Sequence, residues 1–128
     1  MTVFNPLLDL PGLQARLENG DDTLVVCYCA AWCDTCNAYR PEFEALAERL
    51  PGHVFIWIDI EDNPELLGDE DVENFPTLLV QTPSANLFYG PMLPYISHLE
   101  KLLTRVQDSP PIAGGPPLLR PLLASAAQ

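Results

Sequence analysis

The chain has 128 residues, 48% of them hydrophobic, enough for one domain with a proper core. Its formal charge of −12 argues against nucleic acid and anionic membrane surfaces as partners. No stretch approaches the roughly 18 consecutive apolar residues of a membrane span. Met1-Thr2-Val3-Phe4-Asn5-Pro6 lacks the basic and apolar regions of a secretory signal, so the expected location is the cytoplasm.

Residues 11–19 read as a short helix. Pro11 suits its start, Leu13 and Leu17 share a face, and Asn19-Gly20 suits its end. Residues 24–30, Leu24-Val25-Val26-Cys27-Tyr28-Cys29-Ala30, form an apolar run that predicts a buried strand. Residues 34–50 are helical by the stripe of Phe43, Leu46, Ala47 and Leu50, and Pro51-Gly52 ends them. Pro41 lies inside this helix and should bend it by removing one backbone bond.

Val54-Phe55-Ile56-Trp57-Ile58 is apolar at every position, the mark of a central strand covered on both faces. Asn63-Pro64 begins a short helical segment closed by Gly68. Residues 77–81 and 86–89 predict a hairpin around Pro83-Ser84-Ala85-Asn86. A last helix can begin at Pro94, with Tyr95, Leu99, Leu102, Leu103 and Val106 on its buried stripe. The order of elements predicts an α/β fold, a central mixed sheet with helices on both faces, over residues 1–107.

Residues 108–128 form a tail of different character. Pro110-Pro111, Gly114-Gly115 and Pro116-Pro117 read as a linker, but Leu118, Leu119, Leu122 and Leu123 are too apolar for a plain solvated one. Such a tail is disordered, lies on its own domain, docks a partner or contacts a second copy. Asp59, Glu61, Asp62, Glu65, Asp69, Glu70, Asp71 and Glu73 concentrate negative charge in one segment. This is a solvated face or a selector of basic partners.

The chemistry centres on Cys33-Asp34-Thr35-Cys36 at the start of the second helix. Two cysteines at this spacing share one helix face, at a Cα separation of roughly 5.5 Å that a disulfide accepts. The free N–H groups and dipole of the helix start favour a thiolate on Cys33, with Cys36 one turn in as the resolving thiol. This is a dithiol–disulfide exchange centre. Four cysteines confined to positions 27–36 do not resemble a structural disulfide framework. Read together, C-x-C-x3-C-x2-C leaves four-thiolate metal binding open as another possibility. His53 and His98 are isolated and read as surface residues.

Trp32 before Cys33-x-x-Cys36, Pro41, Asn63-Pro64, Phe75-Pro76-Thr77-Leu78-Leu79-Val80 and Gly90 together resemble the thioredoxin family across residues 22–106. The resemblance implies a thioredoxin-like fold, a cis bond before Pro76 facing the redox pair, and Trp32 over the site. It makes Phe75, Pro76 and Gly90 part of a substrate-facing rim, where an extended substrate adds as a strand. It implies a protein-disulfide reductase without a cofactor or metal. Disulfide-containing proteins would be its substrates, and a separate reductase or small dithiol would recycle it.

Three departures from the family pattern bear on activity. Asp34-Thr35 replaces Gly-Pro; a carboxylate beside Cys33 opposes the thiolate and makes the couple more reducing. Cys27 stands where the family carries a buried aspartate, and Trp57 where it carries lysine, so the proton relay changes. Cys27 is then a core thiol or a second redox group exchanging disulfides with Cys36. These departures and the apolar tail support an alternative reading, a thioredoxin-fold binding or chaperone-like module with a weakly active or sensory CxxC.

Overall fold

The computed structural model describes residues 3–18, 20–68, 70, 72 and 74–126. Asn19, Asp69, Asp71 and Glu73, named above, lie outside the described residues. The described residues form a five-stranded mixed sheet and four α-helices. The strands are β1 (Val3–Phe4), β2 (Leu24–Cys29), β3 (Val54–Asp59), β4 (Thr77–Gln81) and β5 (Asn86–Pro91). The helices are α1 (Leu10–Glu18), α2 (Asp34–Arg49), α3 (Ile96–Arg105) and α4 (Leu119–Ser125).

Strand order is β1-β3-β2-β4-β5. β3 runs parallel to both β1 and β2. β4 is antiparallel to β2 and to β5. The alternation of side chains along each strand divides the core in two. Val25, Cys27, Cys29, Phe55, Trp57, Leu78 and Val80 face a layer completed by α2 and α3. Leu24, Val26, Tyr28, Ile56, Ile58 and Leu79 face the layer of α1 and α4. Burial on both faces is why β2 and β3 are apolar at almost every position.

Several details differ from the sequence expectations. The edge strand β1 was not expected; two residues are too few for a periodic signal. α3 starts at Ile96, one residue beyond its cap Tyr95, so Pro94 precedes the helix. Tyr95 is 61% exposed rather than on the buried stripe. The segment after Asn63-Pro64 is a 3₁₀ turn, Pro64–Leu66, and Gly68 has the positive φ of 70° expected at a stop. His53 is half-buried beside the Phe55 ring, and burial holds its pKa below the ordinary histidine value against the opposing pull of Asp22.

The tail lies on its own domain. Leu119 and Leu123 of α4 are buried in the α1-side core. Two buried amides hold the approach. Gln81 Nε2 donates to the Pro117 carbonyl at 3.0 Å, and Gln81 Oε1 accepts from the Leu119 N–H at 2.8 Å. Asn86 Nδ2 donates to the carbonyls of Gly114 and Pro116 at 3.0 and 2.9 Å. Gly115 has φ +88°, and a Cβ there would stand 2.9 Å from Asn86 Nδ2. No helix among the described residues is long and apolar enough to cross a membrane.

Candidate functional site

β2 ends at Cys29, and the chain crosses Ala30, Ala31 and Trp32 to Cys33, the N-cap of α2. The connection is fixed at several points. Cys33 N–H donates to the Ala30 carbonyl at 3.0 Å, and Asn37 N–H to the Cys33 carbonyl at 3.1 Å. Asp59, at the end of β3, accepts the Ala31 N–H at 2.9 Å and the Glu61 N–H at 2.8 Å. The Asn37 side chain donates to the Ala31 carbonyl at 3.1 Å. Asp59 and Asn37 are positioning residues that the motif reading missed. Their signal is weak, because carboxylates and amides at element ends are common.

Cys33 is a free, half-exposed thiol. As the N-cap residue it stands at the start of α2, and its side chain makes no capping hydrogen bond. Trp32 is 67% exposed, and its indole N–H donates to the Glu61 carboxylate. Its ring meets the Phe75 ring edge-on at 5.6 Å. Phe75 and Cys33 both border the α2-side core. The Phe75–Pro76 bond is cis. The Pro76 carbonyl accepts the Met92 N–H at 3.1 Å, which ties this turn to the end of β5.

Gly90 lies on β5 opposite Leu78, and Leu78 lies opposite Cys27, itself opposite Trp57. Trp57, Cys27, Leu78 and Gly90 thus form one row across the sheet. Arg40 lies over the Trp57 ring at 5.4 Å, and Phe43 meets the ring at 5.7 Å. Trp57 is therefore covered by α2. Asp34 and Thr35 are exposed in the first turn of α2. Thr35 lines an open recess of about 430 Å³ with Tyr39, Glu42, Pro94 and Tyr95.

The four sulfurs are connected differently from the expected pairing. Cys36 is bonded to Cys29, with Cα atoms 5.9 Å apart, and Cys33 is left free. Cys27 Sγ lies 3.5 Å from Cys29 Sγ. The thiol that pairs with Cys36 from the strand is thus Cys29, not Cys27. Cys29 ends β2 and meets the first turns of α2, whereas Cys27 sits two residues deeper, between Trp57 and Leu78. Burial pushes the Cys27 thiol up, so it stays protonated at neutral pH. The Tyr39 hydroxyl is buried without a hydrogen-bond partner among the described residues. In this state Cys29 and Cys36 are bonded to each other and neither is a thiolate. Among the described residues no group of three or more His, Cys, Asp or Glu is placed to hold a metal ion.

Comparison with known proteins agrees with this framework. A thioredoxin from Ophiophagus hannah is 37% identical over 70 residues, covering 54% of this chain and 67% of that protein. A thioredoxin from Oryctolagus cuniculus is 36% identical over 58 residues, 45% of this chain and 55% of that protein. The solved structure of a poplar thioredoxin h superposes with a TM-score of 0.69 at 17% identity, over 86% of this chain and all of that one. That of Fasciola hepatica thioredoxin gives 0.64 at 27% identity, over 82% of this chain and 98% of that one. The thioredoxin family model matches residues 11–89. That span runs from α1 into β5 and takes in both the Cys33 turn and the Phe75–Pro76 turn, so the chain belongs to the thioredoxin family.

Proposed function

We propose that the protein is a thiol–disulfide oxidoreductase that reduces protein disulfides through Cys33 and Cys36. The carrying observation is Cys33 itself, a free and half-exposed thiol capping α2 beside the exposed Trp32 ring. In the reduced protein, the Cys33 thiolate attacks a substrate disulfide and expels one substrate thiolate. Cys36, one turn along the same helix face, then attacks Cys33 Sγ, releases the second thiolate and closes a Cys33–Cys36 disulfide. A separate reductase or a small dithiol restores both thiols. One solved relative is a thioredoxin f2 in complex with ferredoxin:thioredoxin reductase, which supports a protein partner of that kind. The cycle needs a thiol-reducing compartment, and we assign the cytoplasm.

The bond between Cys29 and Cys36 favours a second reading, a sensory or binding module in which Cys36 is withheld from Cys33. Turnover separates the two. Cys33→Ser should abolish reduction of a disulfide-bonded protein by dithiothreitol-recycled enzyme. Cys36→Ser should accumulate mixed disulfides with the substrate, seen as intact-mass adducts. A wild type with no turnover above that of dithiothreitol alone supports the sensory reading instead.

A further inference from the structure

Cys33 is half-exposed, whereas Cys36, Cys29 and Cys27 are all buried, with Cys36 bonded to Cys29 and the Cys27 sulfur 3.5 Å from that of Cys29. Cys36 is the shared member: it lies one helical turn from Cys33 and is bonded to Cys29. We propose that the oxidised protein is a disulfide shuttle, in which the bond moves from Cys33–Cys36 to Cys29–Cys36 and returns Cys33 to the surface as a thiol. This goes beyond the reductase cycle and uses its product as the starting state.

The step is an isomerisation. The Cys29 thiolate attacks Cys36 Sγ, the Cys29–Cys36 bond forms, the Cys33–Cys36 bond breaks, and the Cys33 thiolate leaves. One disulfide is lost and one gained, so no external oxidant or reductant is consumed. The proton given up by Cys29 goes to the departing Cys33 or to solvent.

Two features favour the inward state. Cys33 is half-exposed, so the sulfur that leaves is released to solvent rather than into the core. Cys29 and Cys36 are 1% and 0% exposed. A neutral, apolar disulfide suits that site better than a thiolate does. Cys27, at 3.5 Å, completes the surroundings of Cys29 with a thiol that stays protonated.

The consequence is a change of mode. After one turnover the protein holds its oxidising equivalents in the core and presents a single nucleophilic cysteine. That cysteine can form a second mixed disulfide, which Cys36 cannot resolve while bonded to Cys29. Release then needs an external small thiol, and the protein acts as a one-cysteine thiol until the buried bond is reduced.

Disulfide mapping of diamide-oxidised protein tests this without any substrate. Native labelling with N-ethylmaleimide should modify Cys33 in the oxidised wild type. Cleavage before Asp34 and tandem mass spectrometry should show Cys29 linked to Cys36. Cys33→Ser should still lose two hydrogens on oxidation, and Cys33→Ser/Cys29→Ala should lose none. Cys33 protected from maleimide in the oxidised wild type, or no disulfide in Cys33→Ser, overturns the shuttle. Circular dichroism of each variant confirms that it is folded before it is scored. Reduction of a disulfide substrate by fully reduced wild type reads the reductase proposal alone, so the two can fail separately.

Discussion

Cys27 is the residue whose chemistry departs furthest from the family pattern, and the structure gives it a definite setting. It is fully buried, opposite Trp57 and Leu78, with its sulfur against Cys29. Replacing it with aspartate puts a carboxyl beside Cys29 and one sulfur away from Cys36. Burial raises that carboxyl's pKa toward the working range of a general base. Cys27→Asp should therefore speed resolution of the mixed disulfide near neutral pH, on the order of tenfold to a hundredfold. It should also lower stability by about 1–3 kcal/mol, since a polar group replaces a thiol that acts as a small hydrophobe. The sign with pH is fixed: a folded-state pKa above the unfolded one means stability is lost as pH rises between the two. The deficit in unfolding midpoint should grow from acid toward neutral pH. Single-turnover kinetics and thermal melts of the reduced variant check the two halves. No acceleration at any pH would show that water already carries the proton.

The same residues show what a sequence can and cannot say at this scale. Strand alternation alone puts Cys27 and Cys29 on one face, and that is how they lie. Which of them meets Cys36 depends on how far β2 runs before the chain turns into α2. That length is a tertiary quantity, set by Asp59 and Asn37 holding the turn.

At the scale of elements, β2, β3, β4, β5, α1, α2 and the body of α3 were legible because each carries a strong apolar pattern between Gly, Pro or Asn breaks. α4 was not, because its signal is a few leucines behind a Pro- and Gly-rich approach that composition reads as linker. What fixes it is long-range and polar. Gln81 is 1% exposed and Asn86 8%, they hydrogen-bond each other at 2.7 Å, and both hold the tail backbone. A buried polar pair in a strand and its hairpin partner is a poor sequence signal, since the same residues are common in exposed turns. Gln81→Leu should leave the Leu119 N–H and the Asn86 carboxamide short of partners, at a cost of about 1–3 kcal/mol for each buried unsatisfied group. Asn86→Ala should expose the Gly114 and Pro116 carbonyls in the same way. Urea unfolding gives the loss in stability. Limited proteolysis should cut each variant first between residues 108 and 118, ahead of the rest of the domain. Unchanged cleavage would mean that Leu119 and Leu123 hold α4 without the amides.

Across the whole molecule, the charge of −12 is not evenly relevant to the site. Asp34, Glu61 and Asp62 are exposed around the turn that carries Cys33, and Glu61 is tied to Trp32. Asp59 is different: it is half-buried and engaged with backbone N–H groups, so it shapes the turn. The exposed carboxylates give the approach to Cys33 a negative field, which attracts cationic reactants and repels anionic ones. The reduced protein should therefore prefer cystamine, a dicationic disulfide, over dithiodiglycolate, a dianionic one. At low salt we expect a preference on the order of tenfold beyond the ratio for free dithiothreitol. The excess should vanish near 1 M salt, where the screening length is about 3 Å. Charge reversal by Glu61→Lys with Asp62→Lys should erase it at low salt as well. The readout is the ratio of second-order rate constants across a salt series, which cancels intrinsic differences between the two disulfides. A ratio that does not move with salt would mean that the field at Cys33 is already neutralised by solvent, and that substrate choice rests on the Trp32 and Phe75 rings.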